Sequence, residues 1–351
     1  MKLHATATLL AISCLGTSAF ADGRNPGSVL VYPVHRTDTG NVQAERDSVY
    51  FTILSVTNSN LNPAAGSTNV HFEYLNTVFF NRPSNRFKPD HCTVIDRVEN
   101  LTPMDTLSVL TSCHNAASGQ EGYVVVSAQD PGLFKTNWSF NYLMGSEMIV
   151  TGQGGFYSLN AIPFSSPVAE GGLTDLDFDG QVDFDGLEYE GIADTLYIDS
   201  FLAVANSSLC LINLTGGTDF VTTVQFDIWN DNEIPLSSTL AFKCWFEEPL
   251  YAVSLIFDQD YLRYNTNNDE DELDIDCDGQ DDVETGWAMI NGLVTTSTAQ
   301  AIGNPALLGA LTAGPMSEGG RFFDASRLLW ESADKQFNGD FLKVGSVDPE
   351  N

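Results

Sequence analysis

Seven carboxylates and no lysine or arginine lie between Leu173 and Glu190, in the stretch LTDLDFDGQVDFDGLEYE. Asp175, Asp177 and Asp179 alternate there and Gly180 follows, which is the first half of an EF-hand calcium loop. Carboxylates at alternate positions can converge on one ion, and the glycine permits the sharp turn that gathers them. Gln181 would add its backbone carbonyl and Asp183 the ninth-position ligand. The twelfth position, a bidentate Glu in an EF-hand, is Gly186, and Glu188 two residues on can reach back in its place. A second stretch, NNDEDELDIDCDGQDDVET from Asn267 to Thr285, carries ten more carboxylates in the same register. Asp274, Asp276 and Asp278 take the alternate places, then Gly279, Gln280 and, at the ninth, Asp282. Its twelfth position is Thr285, with Glu284 just before it, so both loops depart from the EF-hand at one place. Crowded carboxylates repel one another unless a cation joins them, and an all-oxygen set suits Ca²⁺ above other ions. The sequence therefore predicts two free-standing DxDxDG calcium loops set between β-strands.

Other residues able to do chemistry are sparse. After the N-terminal segment the histidines are His35, His71, His91 and His114, with no HExxH and no close pair to bind catalytic zinc. His71 falls on the polar face of an alternating segment and reads as a surface residue. His91 and His114 adjoin Cys92 and Cys113, which gives two readings, a His₂Cys₂ metal site or a disulfide, and an oxidising compartment favours the disulfide. No GxSxG nucleophile elbow is present. Carboxylate pairs for glycoside hydrolysis are not singled out by any spacing among 47 acids. No catalytic constellation emerges. Trp138, Trp229, Trp245, Trp287 and Trp330 could stack on sugars, but four fall in or beside strand patterns, as core residues do.

The elements that would position the acidic loops are strands. SVLVYPV, VYFTILSVTN, NVHFEYLN, TPMDTLSVLTS and GYVVVSAQD follow in order, and NVHFEYLN alternates Val70, Phe72 and Tyr74 against Asn69, His71 and Glu73. After the acidic stretch the order recurs. SSLCLINLTGG follows VYFTILSVTN, TTVQFDIWNDNE follows TNVHFEYLN, and LAFKCWFEEPLYAVSLIF follows HCTVIDRVENLTPMDTLSVL. TGWAMING follows EGYVVVSA, and ALLGALTA follows YLMGSEMI. The expected architecture is mainly β: two related, duplicated β-sandwich-like units joined by an acidic calcium-type loop. Residues 1–21 read as a signal peptide, 22–172 as the first unit and 173–194 as the acidic linker. Residues 195–351 read as the second unit, with an acidic insertion at 267–285. Ser326 to Phe337 admits either a short helix or a strand and turn.

Lys2, the apolar run Leu9 to Leu15 and Ala19-Phe20-Ala21 make the secretory signal, with cleavage expected after Ala21. Cys14 raises a lipoprotein alternative, but Ala11 stands where a lipobox prefers Leu. No later run is long enough to span a membrane as a helix. A net charge of −32 argues against nucleic acid and anionic membrane as partners. Five cysteines remain after cleavage; Cys92–Cys113 and Cys210–Cys244 are the expected disulfides, leaving Cys277 in the second acidic loop.

SVLVYPV, SVTN, LTPMDTL, DFDGLEYE, WNDNE and the Cys244-Trp245 pair together resemble a family of uncharacterised secreted, β-rich proteins of environmental bacteria. The resemblance covers most of the mature chain. It implies a secreted β fold and, since no reaction is assigned to that family, no catalytic residue. The functional expectation is an exported, non-enzymatic, Ca²⁺-stabilised structural or adhesion protein of the cell surface, periplasm or extracellular space. Its partner would be a protein, a polysaccharide or a second copy of itself. The alternative is a carbohydrate-binding or carbohydrate-active secreted protein, which a row of exposed Trp and Tyr or two facing carboxylates in a cleft would favour.

Overall fold

The computed structural model describes residues 25–37, 51–78, 91–115, 119–132, 136–150, 156–193, 195–204, 207–216, 220–230, 233–266, 283–298, 300–303, 305–313, 324–329, 335–336 and 340–341. The predicted signal peptide lies outside these residues, as do Asp274, Asp276, Asp278, Gln280 and Asp282.

Alternating and apolar segments fold as strands, as their periodicity requires. The first set is β1 (Val29–Arg36), β2 (Phe51–Asn58), β3 (Thr68–Val78), β4 (His91–Leu101), β5 (Thr106–Leu110), β6 (Glu121–Gln129), β7 (Leu143–Val150), β8 (Phe156–Asn160) and β9 (Ile162–Phe164). Two short strands, β10 (Val182–Asp183) and β11 (Ile192–Ala193), belong to the acidic segment and its exit. The second set is β12 (Thr195–Leu202), β13 (Ser208–Asn213), β14 (Val221–Asn230), β15 (Pro235–Lys243), β16 (Trp245–Pro249), β17 (Thr285–Thr296), β18 (Ala301–Gly303), β19 (Leu307–Ala313) and β20 (Asp324–Arg327). β21 (Lys335–Gln336) and β22 (Asp340–Phe341) pair with β11 and β10. Of the Ser326 to Phe337 stretch, where the sequence admitted helix or strand, Ser326 and Arg327 end β20 on the edge of β19 and Lys335–Gln336 form β21; residues 330–334 and 337 lie outside the described residues.

All the strand pairs are antiparallel, and each set makes two sheets. The first set runs β4-β3-β6-β1-β9 in one sheet and β5-β2-β7-β8 in the other. The second runs β15-β14-β17-β12, with β18 beside β17, and β16-β13-β19-β20. Substituting β12 to β17 for β1 to β6, and β19 and β20 for β7 and β8, turns the first pair of orders into the second, apart from β9 and β18. The segments matched by sequence occupy these corresponding strands.

Three apolar cores separate the four sheets. Leu30, Tyr32, Leu54, Val56, Phe72 and Val124 fill the first sandwich. Ile198, Leu209, Phe226, Phe246 and Ile290 are among those filling the second. A third core lies between the sandwiches and draws Val31, Val94 and Val125 from one and Ile212, Trp245 and Leu308 from the other. One sheet of each sandwich is thus covered on both faces. This explains the sequence pattern strand by strand. β1, β6, β13 and β19 are buried almost throughout and are near-continuous apolar runs. β2 and β14 show one face to solvent and alternate.

Covalent and polar contacts cross the same junction. The disulfide joins Cys92 in β4 to Cys244, between β15 and β16, which corrects the expected pairing within each unit. Cys113 is an exposed free thiol and Cys210 a buried one. Pairing within the first unit suggested Cys92–Cys113; the back-to-back packing of the two sheets sets Cα92 6.3 Å from Cα244 instead. Trp245 Nε1 donates to the carbonyl of Pro33 at 2.9 Å, and Arg36 pairs with Glu247.

Candidate metal centre

The acidic segment is folded onto the first sandwich by its own backbone. Ser139 N donates to Gly172 O, Gly171 N to Ser139 O and Thr174 N to Asn137 O. Farther on, Ser166 Oγ donates to Glu188 O and Glu190 N to Ser165 O. Between these anchors the chain makes tight turns, with Phe178 (φ 65°), Gly180 (φ 79°) and Gly186 (φ 82°) in the left-handed region. Gly180 N donates to Asp175 Oδ2 at 3.2 Å, Asp179 N to Asp177 Oδ1 at 3.2 Å and Gln181 N to Asp179 Oδ1 at 2.8 Å. Asp185 accepts from Leu187 N and Glu188 N, which starts the return.

That return brings the carboxylates together. Asp175, Asp177 and Glu188 each offer an oxygen within 4.8 Å of the others, and Asp177, Asp179 and Asp183 form a second such group. Glu188 thus returns to Asp175 and Asp177, and its carboxylate accepts from Leu176 N. Asp183 and Glu188 are buried, Asp175 and Gln181 half-buried, and Asp177 and Asp179 exposed. Asp175 Oδ1 and Gln181 Oε1 are shielded from solvent without a hydrogen-bond partner. The Gln181 side-chain amide donates to Asp179. Burial, with the charges of Asp175 and Asp177, pushes the Glu188 carboxyl up to about 7, against the N–H groups of Leu176 and Asp183. No helix flanks the loop: a bridge from Trp138 to Leu173 precedes it, and β10 follows Asp179 and includes Asp183. An all-oxygen cluster of this kind can hold a divalent cation.

The back of the segment is apolar. Val182, Phe184, Tyr189 and Ile192 are each fully buried and belong to the core between the sandwiches. Phe184 packs on Phe164 with ring centroids 4.7 Å apart, and Tyr189 Oη lies 2.7 Å from Thr174 Oγ1. The same short segment thus holds the carboxylates, exposed at Asp177 and Asp179 and buried at Asp183 and Glu188, and four side chains of the shared core.

Of the second acidic stretch, Glu284 lies among the described residues. It is fully buried, and its N–H donates to Gln259 Oε1. The His₂Cys₂ reading fails because Cys92 is spent in the disulfide with Cys244. His114 instead hydrogen-bonds Tyr74 Oη through Nδ1 at 2.7 Å and packs edge-on to Phe72. Trp138 stacks on Phe140, Trp245 is buried, and Trp229 and Trp287 stack on each other at 4.1 Å on the outer face of the second sandwich. That pair spends one ring face of each tryptophan on the other.

His71, read as a surface residue, is buried. With Glu73 and Asp96 it forms a third group of potential ligands. Its alternation with Phe72 was legible; whether that face is covered was not, because alternation says only which residues share a face. No protein-family model, curated protein or solved structure matches this chain.

Proposed function

We propose that the 173–190 loop is a Ca²⁺ site whose occupancy rigidifies the junction of two sandwiches, in an exported, non-enzymatic structural or adhesion protein. The observation that carries this reading is the gathering of Asp175, Asp177, Asp179, Asp183 and Glu188, with Asp175 Oδ1 shielded and unpartnered, on a plug that also contributes four side chains to the inter-sandwich core. Oxygen-only ligands favour Ca²⁺ over Zn²⁺, and this number of carboxylates exceeds what Mg²⁺ takes from protein. Extracellular Ca²⁺ is abundant enough for a weak site to fill. The matching strand orders of the two sandwiches support an origin by duplication, and the disulfide is consistent with an oxidising compartment outside the cytoplasm.

Calorimetric titration of chelator-treated protein with Ca²⁺ tests the site. Binding with a melting temperature several degrees higher in millimolar Ca²⁺ is the expected result. An ion that binds only the folded state at ~100 times Kd stabilises by roughly 2.7 kcal/mol. Asp177→Ala should remove most of that gain at this loop, and Asp199→Ala, on the second sandwich, should not. Absence of binding heat with an unchanged melting curve would reduce the loop to a solvated acidic turn.

A further inference from the structure

We propose that His71, Glu73 and Asp96 form a second metal site, chemically unlike the acidic loop, that takes a transition-metal dication of the Zn²⁺ class. The three are positioned by the β3–β4 ladder. His71 and Glu73 stand two residues apart on β3 and share one face, and Asp96 is the antiparallel partner of Glu73 on β4. Each offers one ligand atom within 4.8 Å of the other two. β3 is paired on both sides, by β4 and β6, so its backbone has little freedom to move.

The histidine distinguishes this cluster from a patch of acids. His71 is 7% exposed and Glu73 1%, and His71 Nδ1 has no hydrogen-bond partner. His71 Nε2 lies 3.6 Å from Asp96 Oδ1, beyond hydrogen-bond reach. Two ligands each about 2.0 Å from a tetrahedral ion are about 3.3 Å apart, so this pair needs little closure to share one. On β6 the residue opposite His71 is Ser127, and the next position on that face is Gln129, whose buried Oε1 is also unpartnered. One imidazole with two carboxylates fits Zn²⁺, Co²⁺ or Mn²⁺, whereas Ca²⁺ takes oxygen alone. Three protein ligands leave a fourth position for water.

The probe is Zn²⁺ itself, added to the full chain after chelator treatment and with Ca²⁺ present in excess to occupy oxygen sites. One equivalent of Zn²⁺ is expected to bind, and Co²⁺ in its place should give visible absorption bands of a nitrogen-containing site. His71→Gln and Asp96→Asn should each weaken Zn²⁺ binding by more than about 100-fold, since even an outer-sphere partner is worth 10–100-fold. Asp177→Ala should retain the Zn²⁺ site, which separates this proposal from the loop reading. Circular dichroism checks that the variants fold; should one not, the other variant and the wild-type Co²⁺ spectrum still decide. No Zn²⁺ binding by the wild-type chain, or binding of undiminished affinity in a folded His71 or Asp96 variant, overturns the proposal.

Discussion

Cys92 of the first sandwich is bonded to Cys244 of the second, 152 residues away in sequence, across the core that the two sandwiches share. Both half-cystines belong to that core, along with Trp245, whose indole reaches the Pro33 carbonyl. The bond therefore fastens together two sheets that already pack face to face, and it closes a long loop in the unfolded chain.

Replacing both Cys92 and Cys244 by Ser is expected to destabilise the protein by up to about 5 kcal/mol, the chain-entropy value for a loop of this length. Urea unfolding of the double variant beside the wild-type protein measures it. Alkylation of native protein under non-reducing conditions should modify the exposed Cys113 and spare Cys210, which is buried and whose thiol burial pushes well up. Peptide mass mapping reads out both.

The shared core should make the two sandwiches one cooperative unit. Leu308 is fully buried in it, so Leu308→Ala should cost about 2–5 kcal/mol. Scanning calorimetry should show one transition moving as a whole. Separation into two peaks, one unshifted, would mean that the sandwiches unfold independently.

Glu188 couples the acidic loop to pH. Its carboxyl stands near 7 in the folded protein against an ordinary value of 4.5, so without a cation the folded state holds the proton more tightly than the unfolded chain. Stability of chelated protein from this group is then fully present below about 4.5 and is lost as pH rises through 7. Glu188→Gln should abolish that loss and make the chelated protein the more stable of the two at pH 8. The same variant should lose most of its response to Ca²⁺. In the wild type, Ca²⁺ affinity should increase as pH rises through 7, because the ligand must be deprotonated. Melting curves at pH 5 and 8, with chelator and with Ca²⁺, give all four values.

His35 works in the opposite direction. It is fully buried in β1, and burial, with the adjacent Arg36 charge, pushes its imidazole down to about 3 against the opposing effect of the Leu75 backbone. The unfolded chain takes up a proton near the ordinary imidazole value of 6.5, so stability from a neutral His35 is present above that pH and is lost as pH falls toward 3. The slope is on the order of 1.4 kcal/mol per pH unit from this one group. His35→Gln should flatten the acid limb relative to wild type when urea midpoints are measured between pH 4 and 7.

Local chemistry was readable without the fold. Strict alternation in FTILSVTN and VTTVQFDIWN marks one-sided burial, and the doubly covered β1, β6, β13 and β19 are the runs where alternation fails. The DxDxDG register singled out Asp175, Asp177 and Asp179, because a turn of that length depends only on neighbouring residues. What required the tertiary structure is everything joined across long separations. Glu188 reaches back because Asp185 and Ser166 hold the return of the loop. Cys92 meets Cys244 rather than Cys113 because sheet-on-sheet packing, and not spacing along the chain, sets which Cα atoms come within bonding range. His71 is buried because a strand's alternation says which residues share a face and nothing about whether water or another layer lies over it.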